Sequence, residues 1–423
     1  MNFLTSFISQ HKTTVVMATG VMTYVQWKDY NRYRHVAKAF QVGRIGNIAN
    51  SSGKRVTSLL DGKVRRFSND VAKKHEEMFE RRAVENSLHE ALSAEFTNRY
   101  YVIKGEVGTG KSRLLKELTR RAMDDVSASE RVGAPVYILA GHGSSFADNL
   151  ASCVGFEFDE HVTITFLISC ALQIQQLPEK TPLAKLQRTL EAIEKACKYN
   201  RDRYGFASVL VIDGADVLPD DVIKEIQRKA KIWADSNFCK VVFVTCEERV
   251  TNVLLQNTSY WSRAADPICI GDLCETEAKA LLQRASSDDV SCGPATCMDD
   301  AQAQKVYDIV GGRLNHLLTC KADFNRNVPL HVTVEKLMSK ERGKFVRISH
   351  QPEMWKVIEI VKDHRNHTLL LSELVRMTSQ DTVNQLAEQD IIRFESGKHG
   401  VMVKFQSPLL ARTIDVFYDE ANA

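Results

Sequence analysis

The sequence predicts an α/β protein in which a three-layer parallel sheet is followed by a helical lid and a C-terminal winged-helix-like domain. Three observations lead there. Five short apolar runs alternate with long helical patterns between residues 100 and 270, the rhythm of parallel strands joined by crossover helices. Strand signals stop after residue 272, and helical periodicity alone continues to residue 342. From residue 343 onward, three helical patterns precede two strands joined by a turn, the pattern of a winged helix.

Composition sets the outer limits. The chain has 423 residues, 44% hydrophobic and 26% charged, with 21 Gly and 9 Pro. That is enough for two or three domains and excludes a collagen-like, mucin-like or wholly disordered chain. Ten cysteines without a CxxC pair do not make a disulfide scaffold. The C-x4-C pairs Cys269/Cys274 and Cys292/Cys297 are wider than ordinary zinc loops, so reduced, mostly buried thiols are the preferred reading.

The net charge of +3 is unevenly spread. Residues 1–75 carry thirteen Lys/Arg against Asp29, Asp61 and Asp70, a local charge of +10 that leaves −7 for the rest. Such an arm suits an anionic membrane, a nucleic acid or an organelle import system; a solvated tail is the plain alternative. Residues 13–27 (TTVVMATGVMTYVQW) are uncharged and are followed by Lys28, Arg32, Arg34, Lys38 and Arg44. As a helix this run spans about 22 Å, short of a hydrocarbon core of about 30 Å. Residues 1–45 are therefore read as a membrane anchor, an interfacial helix or a mitochondrial targeting segment. Without such a role the protein is expected to be cytoplasmic. Residues 46–75, rich in Gly, Ser, Asn and basic residues, read as a linker.

A helix is predicted over 76–96. Strands follow at 100–103, 136–140, 209–212, 241–244 and 267–270, with helices at 112–123, 164–176, 183–198, 221–234 and 248–256. The lid helices are placed at 275–284, 299–309, 314–325 and 331–340, with 342–348 as a connector. In the tail, helices at 353–362, 371–377 and 381–389 precede strands at 391–394 and 401–405 around the turn ESGKHG.

The strongest motif is Gly105-Glu106-Val107-Gly108-Thr109-Gly110-Lys111-Ser112, a complete GxxxxGK[ST] between the strand YYVI and the helical pattern SRLLKELTRRA. A triphosphate needs many donors at short range. Gly105, Gly108 and Gly110 let successive backbone N–H groups turn inward, and the helix N-terminus adds its positive dipole end. Lys111 is expected to bridge the β- and γ-phosphates of the triphosphate, and Ser112 to ligate Mg²⁺. Arg113, next in the chain, joins the candidate nucleotide-binding residues. Asp213, ending the apolar strand SVLVID, sits where a Walker B acid would hold the same Mg²⁺.

Hydrolysis also needs a group to orient water. The residue after Asp213 is Gly214, so Asp216 is the candidate base, with Glu247 and Glu248 as alternatives and a helix N-cap as its bland role. Thr245, ending the strand VVFV, is a candidate contact for the γ-phosphate or the attacking water. Arg263 precedes the last strand and could reach a neighbouring subunit's nucleotide as a finger, its bland role being a surface salt bridge. Arg313, after Gly311-Gly312, could clamp phosphate from the lid.

With these residues in place, the chain resembles the AAA+/STAND-like P-loop ATPases, in particular the archaeal-type ATPase branch also met among fungal proteins. The resemblance covers about residues 78–420 and rests on GEVGTGKS (105–112), SVLVIDGAD (208–216), VVFVT (241–245), SYWSRA (259–264) and VGGRLNHL (310–317). It implies a P-loop ATPase core over 76–272, a helical lid over 273–342 and a winged-helix-like domain over 343–423. It also implies that Arg263 occupies the finger position, Gly312–Arg313 the lid motif, and Asp216 the second acidic position of Walker B. Val217 follows Asp216 where the family usually has another acid, a departure that bears on hydrolysis rather than binding. Adenine specificity is implied by the resemblance alone.

The expected function is an ATP-binding, ATP-hydrolysing switch using Mg²⁺. The alternatives are a non-hydrolysing, nucleotide-dependent scaffold at a membrane and a nucleic-acid-associated ATPase. The expected partners are ATP, a second copy through Arg263, a membrane through the N-terminus and a protein at the winged-helix-like domain. The reading-helix position 381–389 is acidic, so a protein is preferred there over DNA, despite Arg393, Lys398, His399 and Lys404 nearby.

Overall fold

A computed structural model describes residues 23, 30–41, 44–46, 82–128, 135–141, 146–158, 181–246, 248–284, 298–348, 351–364, 368–389, 391–397 and 400–422. The run 13–27, the helix expected at 164–176, Glu247, the Cys292/Cys297 pair, Lys398 and His399 lie outside the described residues.

Six strands make the main sheet: β1 (Arg44–Gly46), β2 (Tyr101–Lys104), β3 (Val136–Leu139), β4 (Ser208–Asp213), β5 (Cys239–Thr245) and β6 (Ile268–Cys269). All are parallel, in the spatial order β1-β3-β4-β5-β2-β6. Alternation along each strand builds two cores. Val209, Val211, Val242, Val244, Tyr101 and Ile103 face helices α2 (Arg82–Leu92) and α3 (Lys111–Ala128). Leu210, Ile212, Val241, Phe243 and Val102 face the other way. Covering them are α1 (30–41), α4 (Phe146–Val154), α5 (Pro182–Tyr204), α6 (Asp220–Asp235) and α7 (Glu248–Leu255). Strands buried on both faces explain why their sequences are unbroken apolar runs. The short helix α8 (Thr258–Trp261) leads into β6.

Residues 30–46 depart from a uniform N-terminal arm. Helix α1 buries Val36, Ala37, Ala39 and Phe40 in the sheet's core while Arg34 and Lys38 stay exposed. Asn200 Nδ2 donates to Ala37 O at 2.9 Å, and Gln41 Nε2 donates to Asn200 Oδ1 at 3.0 Å. β1 then pairs with β3. Arg34 and Lys38 occupy one face of a helix whose other face is apolar.

The lid comprises α9 (Glu275–Gln283), α10 (Asp300–Val310), α11 (Leu314–Asn325) and α12 (Leu330–Ile348). The expected connector at 342–348 is instead the last two turns of α12. Phe345 and Ile348 are buried in the tail's core, and that packing outweighs the helix-weakening Gly343. The tail contains α13 (Pro352–Asp363), β7 (Thr368–Leu370), α14 (Leu371–Met377), α15 (Gln380–Glu388), β8 (Ile392–Gly397), β9 (Gly400–Phe405) and α16 (Pro408–Asn422). Its antiparallel sheet has the order β7-β9-β8.

Two tail elements escaped the sequence pattern. β7 runs into α14 without a turn residue between them. α16 starts at Pro408, with Ser407 Oγ accepting from Leu410 N at 3.1 Å. Its Leu409 packs in the lid's core while Leu410 and Ile414 pack in the tail's core, so this one helix joins the two.

Cys153, Cys197, Cys239 and Cys320 are buried free thiols, whereas Cys269 and Cys274 are exposed. Among the described residues, no cluster of three His, Cys, Asp or Glu is placed to hold a metal, and no helix is long and apolar enough to cross a membrane.

Candidate nucleotide site

The site begins where β2 ends. Residues 105–110 form a tight loop from Lys104 to the first residue of α3, Lys111. Gly110 has φ +92°, and a Cβ there would meet the side chain of Leu314. Thr109 is buried, and its Oγ1 donates to Glu106 O at 2.9 Å, pinning the turn. Val107 is exposed at the loop's tip and Arg113 points outward from the first turn of α3. Lys111 is buried, with Nζ donating to Gly105 O at 2.6 Å and Glu106 O at 2.8 Å. Burial pulls its pKa below the ordinary lysine value, against the opposing fields of Cys246, Asp216 and Asp213.

Strand order brings the rest together. β5 lies between β2 and β4, with Lys104 opposite Thr245 and Val244 opposite Asp213. Thus the P-loop, Thr245 and Asp213 share one edge of the sheet. Asp213 is almost fully buried, and its carboxylate accepts from the Tyr137 hydroxyl of β3. Ser112, at the second position of α3, lies on the same side of the sheet as this tyrosine.

Asp216 sits in a short 3₁₀ turn after β4. Its carboxylate accepts from Thr245 Oγ1, from Cys246 N at 3.1 and 3.0 Å, and from Cys246 Sγ at 3.1 Å. Arg249 of α7 donates to Asp216 O and Leu218 O and pairs with the Asp220 carboxylate. The N-cap of α6 is Pro219, so Asp216 does not have that bland role. Glu248 is turned to Lys104 at 3.6 Å.

The two arginines part company. Arg313 is buried at the lid's entry, where Gly312 lies so close to the Leu273 backbone that a Cβ would clash. Leu273 N donates to Gly312 O at 2.8 Å, and Asn315 N donates to Gly108 O at 3.0 Å, tying lid to P-loop. Arg313 pairs with Glu106 and Asp272 and donates to Val107 O at 2.6 Å and Gln406 O at 2.7 Å. Arg393 of β8 approaches the same acids, at 3.2 Å from Glu106 and 3.4 Å from Asp272. Burial raises the Glu106 pKa despite both arginines. Arg263 lies at the other end of β2, where its carbonyl accepts from Tyr100 N at 2.9 Å, and its exposed guanidinium pairs with Asp235 of α6.

Four of these residues were not singled out by sequence reasoning. Tyr137 reads as core in the run VYIL, Asp272 as a loop acid after the last strand, Cys246 as a neighbour of Thr245, and Gln406 as the end of a strand. Only Asp272 carried a usable signal: like Asp213, it is an acid just past a strand at the P-loop's edge.

The donor set fits the ligands. Three glycines, a helix N-terminus and an ammonium converge as a triphosphate requires. Ser112 and Asp213 offer the hard oxygens that Mg²⁺ takes when phosphates and water complete its shell. Residues 94–254 match the AAA domain family, a stretch holding the P-loop, Asp213, Asp216 and Thr245. Over that stretch the chain is similar to AAA domains.

The fold around this stretch is similar to that of the Walker-type ATPase of Pyrococcus abyssi. The likeness covers 81% of this chain and 97% of that one, with a TM-score of 0.55 at 13% identity. The ORC1 protein of Aeropyrum pernix, solved in complex with DNA, aligns over 81% of this chain and 93% of its own at 14% identity and a TM-score of 0.45. For Cdc6p of Pyrobaculum aerophilum the values are 83%, 98%, 15% and 0.40. No curated protein matches the chain.

Proposed function

We propose that the protein is a Mg²⁺-dependent, ATP-hydrolysing switch of the AAA+/STAND type, in which the state of the P-loop sets the position of the lid and the winged-helix-like domain. The observation that carries this is Arg313. One buried guanidinium touches the P-loop through Glu106 and Val107, the end of the core through Asp272, and the tail through Gln406, with Arg393 facing the same two acids. Two cations and two carboxylates balance, so a polyanion brought to the loop competes with Glu106 and Asp272 for the arginines. Lys111 meanwhile exchanges the carbonyls of Gly105 and Glu106 for phosphate oxygen. Mg²⁺, when bound, neutralises charge on the phosphates. Ser112 and Asp213 would hold it.

Asp216 is the candidate to orient water, and Arg263 the residue with which a second copy would complete the site. The Asp235 pairing is a surface contact that a neighbouring phosphate can outcompete. For the tail, a protein partner fits better than DNA: α15 holds Asp381 and Glu388 and no Lys or Arg.

A second reading, a nucleotide-dependent scaffold that does not hydrolyse, is favoured by the engagement of Asp216 with Thr245 and Cys246 and by Gly214 next to Asp213. Phosphate release by the full chain with Mg-ATP separates the two. The switch predicts turnover in the wild type and none in Lys111→Ala, whose nucleotide affinity should fall by about 2–5 kcal/mol. Tight binding without turnover selects the scaffold.

A further inference from the structure

Tyr137 is a buried hydroxyl bonded to one of the two expected metal ligands, Asp213. Its Cα is opposite Val211 in the β3–β4 ladder, and Asp213 lies two residues on, facing the same side of the sheet. That side is covered by α3, whose second residue is Ser112. The phenol is fully buried and donates to the Asp213 carboxylate. The ring has its own restraints: Lys116 Nζ stands 5.5 Å from its centroid, and Cys153 Sγ lies 3.7 Å from the Tyr137 carbonyl.

A carboxylate that accepts one fixed hydrogen bond has one oxygen committed and the other directed. We propose that Tyr137 is a positioning residue for the metal site: its hydroxyl fixes which Asp213 oxygen faces Mg²⁺, raising the affinity of the nucleotide-bound site for the ion. The proposal rests on Ser112 and Asp213 being the metal ligands. Outer-shell partners of this kind are worth about 10–100-fold in metal affinity. A core role alone would be filled by any ring of the same size, and phenylalanine provides one.

The test is a Mg²⁺ titration of fluorescent ADP binding to the full chain, with melting in EDTA as the control for folding. Tyr137→Phe should raise the Mg²⁺ midpoint at least about tenfold while leaving binding in EDTA within about twofold of wild type. Tyr137→Met, which keeps apolar bulk without a hydroxyl, is the second variant if the first does not fold. Asp213→Asn runs alongside. A folded Tyr137→Phe with an unchanged midpoint, while Asp213→Asn shifts it, overturns the positioning role and leaves the metal site standing. If Asp213→Asn also leaves the midpoint unchanged, the metal site fails, and the positioning role fails with it.

Discussion

Two buried lysines sit at opposite ends of the main sheet, and their surroundings differ in sign. Lys111 opens α3, where the helix dipole is positive, and its neighbours are Asp213, Asp216 and Cys246 across a glycine-rich loop. Lys240 begins β5 at the far end, with Nζ donating to Glu90 O at 2.8 Å and Ser93 Oγ at 3.2 Å. Glu90 lies in the last turn of α2 and Ser93 just past it, where the dipole is negative and a cation is welcome. Both lysines have depressed pKa values, each chiefly through burial, Lys240 down to about 8. Burial and a shifted pKa therefore do not distinguish a site from a brace. What distinguishes them is that Lys111 stands in a glycine-rich loop at a helix N-terminus, where an anion can replace the carbonyls it holds, whereas Lys240 is held by groups at a helix C-terminus. The arginines repeat the contrast: Arg313 at the P-loop end ties three parts of the chain together, and Arg263 at the far end has an exposed pairing within the core.

Removing Arg313 should break this comparison most severely. Arg313→Ala leaves the partly buried Glu106 and Asp272 with only Arg393 facing them both, and uncompensated charge of this kind costs up to about 3–5 kcal/mol. Denaturant unfolding of the full chain measures it. A loss below about 1 kcal/mol, the range of exposed pairs, would mean that the cluster is as dispensable as a surface ion pair and would remove the support for coupling through it.

Lys240→Met comes next. It strips the donor from Glu90 O and Ser93 Oγ while filling much of the same volume, an expected cost of about 1–3 kcal/mol, with nucleotide binding unchanged. Loss of nucleotide affinity in a folded Lys240→Met would show that the two ends of the sheet are not independent. The same variant carries a pH signature. Between about pH 8 and 10.5 the folded chain has released the Lys240 proton and the unfolded chain has not, so the unfolded state binds more protons and stability rises with pH. Lys111 contributes in the same direction, so the difference between wild type and Lys240→Met isolates the brace. That difference in slope should vanish outside the window.

The contrast also explains what was legible beforehand. Lys111, Ser112 and the glycines form a contiguous motif, and Asp213 ends an apolar strand, so local spacing was sufficient. The strands were legible because both faces are buried and Val, Ile and Phe run uninterrupted. Tyr137, Asp272, Gln406 and Arg393 reach the site through strand register and the docking of the tail, which no window of sequence contains. Asp216 was legible as an acid near Mg²⁺, but its hold on the β5–α7 junction depends on β5 lying beside β4. Helix α1 was obscured because net charge averages over faces, and four buried apolar residues disappear among thirteen cations. The end of α12 was obscured because Gly343 suggests a break that Phe345 and Ile348 overrule.

Arg263→Ala should have the smallest effect on the isolated chain. Its partner Asp235 is itself exposed, and such pairs contribute about 0.2–1 kcal/mol. The shift in unfolding midpoint should be near the error of the measurement, and nucleotide affinity at low protein concentration should not change. The finger role predicts something else: turnover that rises with protein concentration in the wild type and does not in Arg263→Ala. If both chains show the same concentration dependence, Arg263 is only the surface contact with Asp235, and whatever completes the site in trans comes from elsewhere. If only the wild type accelerates, the far end of the sheet is a second functional edge, one that acts on a neighbour's P-loop and not on its own.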